Sequence, residues 1–334
     1  MGRIKLSFAP DVEVVFVDRE MALRKIEEWA EKGVINVQVV FGPEGCGKSA
    51  WLRQSSEVLR DLGFDVIYIN PVEKEFYAVV GVDGIRERLL EILREATDEA
   101  WARAVWATVD LVRGLIIAGR RKIAVLADEV FQAIGLGKAS TYVKGLLGLI
   151  EYPPRSYERV IAVVATSEGV SRREIGRHRW ADLLPMWNMP REGFRQLYDQ
   201  LPGGKPPFDE VWRLTGGNPK LLAELYRVGW DADVVVKKIV DRKRIDAFVA
   251  SLSNIERMLL TQAVEDPDVL LSREGVSIMD RLTDLNLIVD TIPERDPLLW
   301  AGEAPPEKDL GLGIGRRVAW QTPLHREAVE KALH

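Results

Sequence analysis

The chain has 334 residues, 47% of them hydrophobic and 29% charged, with a net charge of −5. That is material for two or three packed domains, and it excludes both a low-complexity chain and a polycation built to coat nucleic acid. One cysteine (Cys46) excludes internal disulfides and cysteine-based zinc sites, three scattered histidines (His178, His325, His334) exclude a histidine metal cluster, and no apolar run spans a bilayer.

Residues 1–10 lack the apolar core of a signal peptide, so a soluble cytoplasmic protein with no membrane partner is expected. An extended apolar stretch with Val12, Val14, Val15, Phe16 and Val17 leads into an expected helix over Arg19–Glu31. For Phe16–Glu20 the residues favour Asp18 as the helix N-cap; the other reading is a segment that folds over the base of a bound nucleotide.

Val34–Phe41 alternates β-branched and apolar residues and predicts a buried strand. It runs into Gly42-Pro43-Glu44-Gly45-Cys46-Gly47-Lys48-Ser49, which fits G-x-x-x-x-G-K-[ST], and a helical pattern from Ala50 to Leu62 follows. Strand, glycine-rich loop and helix in that order are the context a phosphate-binding P-loop needs. The glycines let successive backbone N–H groups converge, and the helix N-terminus adds partial positive charge. Lys48 is expected at the β- and γ-phosphates, Ser49 on Mg²⁺, and the rest of the loop through Ala50 around the nucleotide, ATP or ADP.

Phe64–Asn70 predicts a second strand, stopped by Pro71. Two helices are expected next, Asp83–Ala100 with i,i+4 charges around Glu87, Glu91 and Arg94, then Trp101–Ala118. In Lys122–Glu129 five residues of buried strand end in the adjacent carboxylates Asp128 and Glu129, a Walker B arrangement at the carboxyl edge where such sheets bind ligands. Asp128 is expected to hold Mg²⁺, largely through water, and Glu129 to orient and deprotonate the attacking water.

A helix over Ser140–Glu151 leads to an apolar strand over Arg159–Glu168 with polar residues at its end. If that strand lies beside the first, Thr166 and Ser167 project next to the γ-phosphate; a strand-end turn is the other reading. Arg172, Arg173, Arg177 and Arg179 make the following stretch basic, as either a γ-phosphate contact or a solvated charged loop. Asp182–Asn188 is a candidate fifth strand.

From Pro190 the pattern changes to short helices over 191–200, 208–215, 219–229 and 233–243, with Pro219 at a helix's first position. Ser253-Asn-Ile-Glu256 is a capping box, and Ser272 is a candidate start for another helix. Asn286–Ile292 and Arg316–Thr322 predict two strands around a Pro/Gly/acidic loop, the order of a winged helix. Residues 241–334 hold 12 Lys and Arg against 17 Asp and Glu, a balance that disfavours phosphate-driven DNA binding.

Taken together, these residues resemble the archaeal ATPase family of P-loop proteins, in the STAND branch of the AAA+-related NTPases. Phe16-Val-Asp-Arg-Glu20 is similar to the family's opening box, Gly42–Ser49 and Asp128-Glu129 are its Walker motifs, Gly176-Arg177 matches its Gly-Arg pair, and Thr215-Gly-Gly-Asn-Pro219 resembles its Gly-x-Pro turn. The resemblance implies adenine contact near Arg19 and Pro219, and a γ-phosphate role for Arg177, with Arg179 as the neighbouring choice. The fold expected is α/β: a parallel-sheet P-loop NTPase domain of the ASCE/AAA+ kind over 1–189, a helical lid over 190–245 and a winged helix over 246–334. The function expected is an ATP-binding and hydrolysing switch with a protein partner and room for oligomerisation. The alternatives are a DNA-binding ATPase like the archaeal replication initiators, in which ATP sets DNA affinity, and a small-molecule kinase.

Overall fold

The computed structural model describes residues 2–79, 91, 93–95, 97–167 and 169–334. The first eight residues of the expected helix over Asp83–Ala100 lie outside the described residues, as do positions 92 and 96. The chain opens with an antiparallel hairpin, β1 (Lys5–Ala9) and β2 (Val12–Val15), followed by helix α1 (Glu20–Lys32). Next come β3 (Val37–Phe41), α2 (Lys48–Asp61), β4 (Asp65–Asn70), β5 (Glu75–Val79) and α3 (Asp98–Ile117). Thr97 caps α3 by accepting from the Ala100 N–H at 3.1 Å, so the helix starts at Asp98 and the boundary expected at Trp101 falls inside it. Then follow β6 (Lys122–Asp128), α4 (Val130–Ile134), α5 (Ala139–Glu151), β7 (Arg159–Thr166), α6 (Gly169–Gly176) and β8 (Ala181–Pro185).

Among the described residues one sheet has the order β5-β4-β6-β7-β3-β8. Every neighbouring pair is parallel except β5, which runs antiparallel on β4. Helices cover both faces, which explains why the central strands carry apolar residues at consecutive rather than alternate positions, Gln38 of β3 being a buried exception. Val37, Val39, Val125 and Val164 face α3 and α5, while Val40, Leu126, Val163 and Ala165 face α1 and α2. The sheet carries β3 in its interior, between β7 and β8, with Phe41 opposite Thr166. That adjacency is the condition under which Thr166 comes near the loop after β3.

The rest of the chain is helical except for one small strand pair. It contains α7 (Arg191–Asp199), α8 (Phe208–Thr215), α9 (Pro219–Arg227), α10 (Ala232–Lys243), α11 (Ile245–Ala250), α12 (Asn254–Glu265) and α13 (Val276–Asp284). The strands β9 (Ile288–Val289) and β10 (Ala319–Trp320) then pair antiparallel, and α14 (Pro323–Leu333) closes the chain. Both strands are shorter than their sequence patterns suggest, and Ser253 and Glu256 form a reciprocal capping box on α12. Phe194, Leu222, Val235, Leu260, Ile278, Trp320 and Leu324 join one core, and Phe8, Ala9 and Val14 of the N-terminal hairpin belong to it too. Gln200 fastens this hairpin by donating to the Val15 carbonyl at 3.1 Å and accepting from its N–H at 2.7 Å.

Candidate functional site

The loop after β3 is shaped by close approach. A Cβ on Gly42 would lie 1.9 Å from the Met186 carbonyl oxygen, and one on Gly45 would lie 2.3 Å from the Lys220 Cβ, where the backbone also has φ +75°. Pro43, Glu44 and Cys46 complete the turn, and Gly47 precedes the first residue of α2, Lys48. The buried Lys48 ammonium donates to the carbonyls of Gly42 (3.0 Å) and Pro43 (2.9 Å), so its charge is centred on the loop. Ser49 and Ala50 follow in the first turn of α2 and line the same cavity.

Asp128 ends β6 and is fully buried. Its Oδ2 accepts from the Tyr68 hydroxyl at 3.1 Å and the Asn70 amide at 2.9 Å, both from β4. Its Oδ1 is buried and has no hydrogen-bond partner among the described residues. Burial, then the adjacent Glu129 charge, pushes the Asp128 carboxyl up to about 6, opposed by the nearby Ser49 hydroxyl. Ser49 and Asp128 thus offer two hard oxygens at one point, a fit for a small divalent cation that keeps most of its water. Among the described residues no cluster of three or more His, Cys, Asp or Glu forms a closed metal cage, so further ligands would have to be phosphate and water.

Glu129 has φ +48° and donates its N–H to the Ala165 carbonyl at 2.9 Å. Its Oε2 accepts from the Ser167 N–H at 3.2 Å and the Gln132 side chain at 3.3 Å. The carboxylate is thereby fixed between the ends of β6 and β7, on the rim of a cavity of about 750 Å³ whose floor is the P-loop. Thr166 is fully buried, next to Ser167.

Arg19 and Pro219 converge on the loop from opposite ends of the sequence. A Cβ at Gly47 would lie 3.8 Å from the Arg19 guanidinium and 4.0 Å from the Pro219 ring. Arg19 is buried, adopts the left-handed conformation, and donates to the Cys46 carbonyl. Asp18 does not cap α1: Arg19 occupies the N-cap position, no side chain bonds there, and Asp18 packs instead where a Cβ on Gly193 would be.

Sequence reasoning missed the far wall of the cavity, where Leu6, Phe8 and Val14 of the hairpin face Ala223 of α9. The alternation Leu6, Phe8 and Val12, Val14 about the turn at Pro10-Asp11 was the available signal. It also missed the partners of Glu44. This carboxylate meets Lys220 at 2.6 Å and Lys243 at 3.4 Å, while its backbone N–H donates to Gln321 and its carbonyl accepts from Asn218, both at 2.9 Å. Burial works to raise the Glu44 carboxyl, but the two lysines outweigh it and hold the group at about 2. Burial, reinforced by the Lys243 charge, presses the nearby His325 imidazole down to about 3.

Arg177 is not brought to the cavity; its side chain is 69% exposed and pairs with Glu174 at 3.1 Å. Arg172 and Arg173, on the same helix, reach the last part of the chain instead: Arg172 pairs with Asp290, and Arg173 with Asp280 at 2.8 Å.

Comparison with known proteins bears on this geometry. A family model described as an ATPase domain predominantly from Archaea matches residues 16–225. Among solved structures, a Walker-type ATPase of Pyrococcus abyssi is similar in fold, with TM-score 0.50 and 17% identity, over 94% of this chain and 96% of that one. Cdc6p of Pyrobaculum aerophilum aligns at TM-score 0.41 and 14% identity over 99% of this chain and 98% of its own. The Aeropyrum pernix Orc1 protein in complex with DNA aligns at TM-score 0.34 and 17% identity, over 97% and 93% of the two chains. No curated protein sequence matches the chain. The mostly parallel sheet with its loop and paired carboxylates, together with a family match over more than half the residues, places the chain in the archaeal P-loop ATPase family.

Proposed function

We propose that the protein is a Mg²⁺-dependent ATP-binding and ATP-hydrolysing switch of the STAND/AAA+ type. The observation that carries this reading is the buried, unpartnered Oδ1 of Asp128 beside Ser49, under a P-loop whose Lys48 charge is already centred. An oxygen in that state is costly unless a cation arrives to use it. Gly42–Ala50 would wrap the phosphates with backbone N–H groups, Lys48 would take the β/γ oxygens, and Arg19 and Pro219 would flank the adenosine. Ser49 and Asp128 would hold Mg²⁺, which when bound neutralises charge developing on the phosphates. Glu129, fixed by Ser167 and Gln132, would accept the proton of the attacking water, with Thr166 near its path. Arg177 remains a γ-phosphate candidate only for a neighbouring subunit, since its exposed side chain lies outside this cavity.

Residues 1–189 are proposed as the ATPase domain, 190–245 as a helical lid and 246–334 as a winged helix, with α12, α13 and the β9–β10 pair as its elements. The contacts of Glu44 with Lys220, Lys243 and Gln321 support coupling of the nucleotide loop to both later segments. A cytoplasmic protein acting on a protein partner, in single copies or assemblies, is the setting proposed; no described helix is long and apolar enough to cross a membrane.

Steady-state ATP hydrolysis with and without duplex DNA, using Glu129→Gln as the blank, is the test. Slow Mg²⁺-dependent turnover that DNA leaves unchanged is expected, because residues 241–334 carry 12 Lys and Arg against 17 Asp and Glu. Strong stimulation by DNA would favour the initiator-like reading, and no turnover in either condition would sink the enzyme. Lys48→Ala is expected to lose nucleotide binding altogether, read by calorimetry.

A further inference from the structure

The cavity does not stop at the P-loop. Beyond Arg19 and Pro219 it continues between the β1–β2 hairpin and α9, with Leu6, Phe8, Val14 and Ala223 as apolar lining. Helix α9 turns Lys220, Ala223, Glu224 and Arg227 to this space, the i, i+3, i+4, i+7 set of one helical face. Arg227 is already employed there, donating to the Phe8 carbonyl at 2.9 Å and so holding the hairpin.

Glu224 is different. Its side chain is only 15% exposed, and its Oε1 lies 3.5 Å from the Arg242 guanidinium of α10. Its Oε2 is buried with no hydrogen-bond partner among the described residues. A buried carboxylate oxygen without a donor is unfavourable, and it is relieved by a ligand that brings an N–H or O–H group. Glu224 stands five residues beyond Pro219, about 7.5 Å along the helix axis. Pro219 itself sits beside Gly47 of the phosphate loop, so that step leads from the phosphates to the nucleoside.

We propose that Glu224 selects the nucleoside: its Oε2 accepts a hydrogen bond from the exocyclic amine of adenine or from a ribose hydroxyl. Arg242 lies 3.5 Å from the other oxygen and supplies its counter-charge. Where the amine is the donor, a carbonyl acceptor at the same point would face a carboxylate, so a base with oxygen in place of the amine is rejected. This inference rests on the reading of the cavity as an ATP site.

The test is calorimetric binding of ATP, purine riboside triphosphate (which lacks the amine) and 2′-deoxy-ATP, with Mg²⁺, to the full chain and to Glu224→Ala. One analogue is expected to bind the unaltered protein at least ~10-fold more weakly than ATP, the usual size for a charge-assisted hydrogen bond, and to bind Glu224→Ala within ~2-fold of ATP. Which analogue behaves so identifies the donor. Should Glu224→Ala fail to fold, Glu224→Gln serves the same comparison, with the ratio shrinking at least ~3-fold because a neutral acceptor bonds more weakly. Discrimination that survives these substitutions for every analogue that shows it, or its absence from the unaltered protein, would overturn the proposal and leave Glu224 as an ion-pair partner of Arg242. An unaltered protein that binds no ATP would instead overturn the nucleotide reading beneath it.

Discussion

Asp128 carries its charge at a cost that depends on what sits beside it. Its carboxyl is raised from 3.8 to about 6 by burial and by Glu129, so the folded chain holds a proton there that the unfolded chain releases earlier. The stabilisation is therefore complete below about pH 4 and is lost as pH rises through about 6. In metal-free buffer, the stability of the protein minus that of Asp128→Asn is expected to fall across this window, as read by melting temperature. With Mg²⁺ the difference should narrow, and Mg²⁺-supported nucleotide binding should weaken below about pH 6, where Asp128 protonates. His325 acts in the opposite sense. Its folded value of about 3 lies below the ordinary 6.5, so the unfolded chain takes up a proton first as pH falls. That contribution is present above pH 6.5 and is lost as pH falls toward 3. His325→Gln should flatten the acid limb of the stability curve by at most about 1.4 kcal/mol per pH unit. Glu129→Gln tests the other carboxylate: hydrolysis is expected to drop by about 10²–10⁴-fold with ATP affinity retained, by single-turnover and binding assays.

Elements differ in how openly the sequence declared them. The strands β3, β4, β6 and β7 are buried on both faces and read as largely apolar runs, and β8 (Ala181–Pro185) was read late, at 182–188. The hairpin strand β1 and the edge strand β5 were missed: β1 leaves Lys5 and Ser7 exposed, and β5 pairs on one side only, with β4. P-loop and Walker B were legible because each is a local motif, set by residues adjacent in the chain. Glu44's partners were not, since Lys220 and Gln321 lie 176 and 277 residues from it and nothing in a single sequence pairs them. The arginines of α6 show the same limit. Their basic run was visible, but not that Asp290, itself only 8% exposed, receives two of them. Asp290→Asn should lower the melting temperature, because Arg172 would keep its burial and lose its counter-charge, while Arg173 would retain only Asp280.

Across the whole molecule, Glu44 is where the sheet domain, the helical segment and the last part of the chain meet. Its carboxylate lies against two lysines and within 3.4 Å of Asn286, while its backbone is bonded to Asn218 and Gln321. Glu44→Gln leaves the largely buried Lys243 facing a neutral amide and is expected to cost about 1–3 kcal/mol, measured by denaturant unfolding. The wild-type advantage should disappear in acid, because a group held at about 2 stabilises above its unfolded value of 4.5 and stops doing so as pH falls toward 2.

The N-terminal hairpin gives this arrangement a mechanical side. Its first strands lie in the core of the helices that follow Pro190, yet the chain then crosses Asp18 and Arg19, two successive left-handed residues, to enter the sheet domain. Residues 2–4, by contrast, are tied to Gln54 of α2, which accepts from the Ile4 N–H at 2.9 Å and donates to the Gly2 carbonyl at 3.0 Å. The hairpin thus fastens the distant helices to the element that carries the phosphate loop, as a clasp held from both sides.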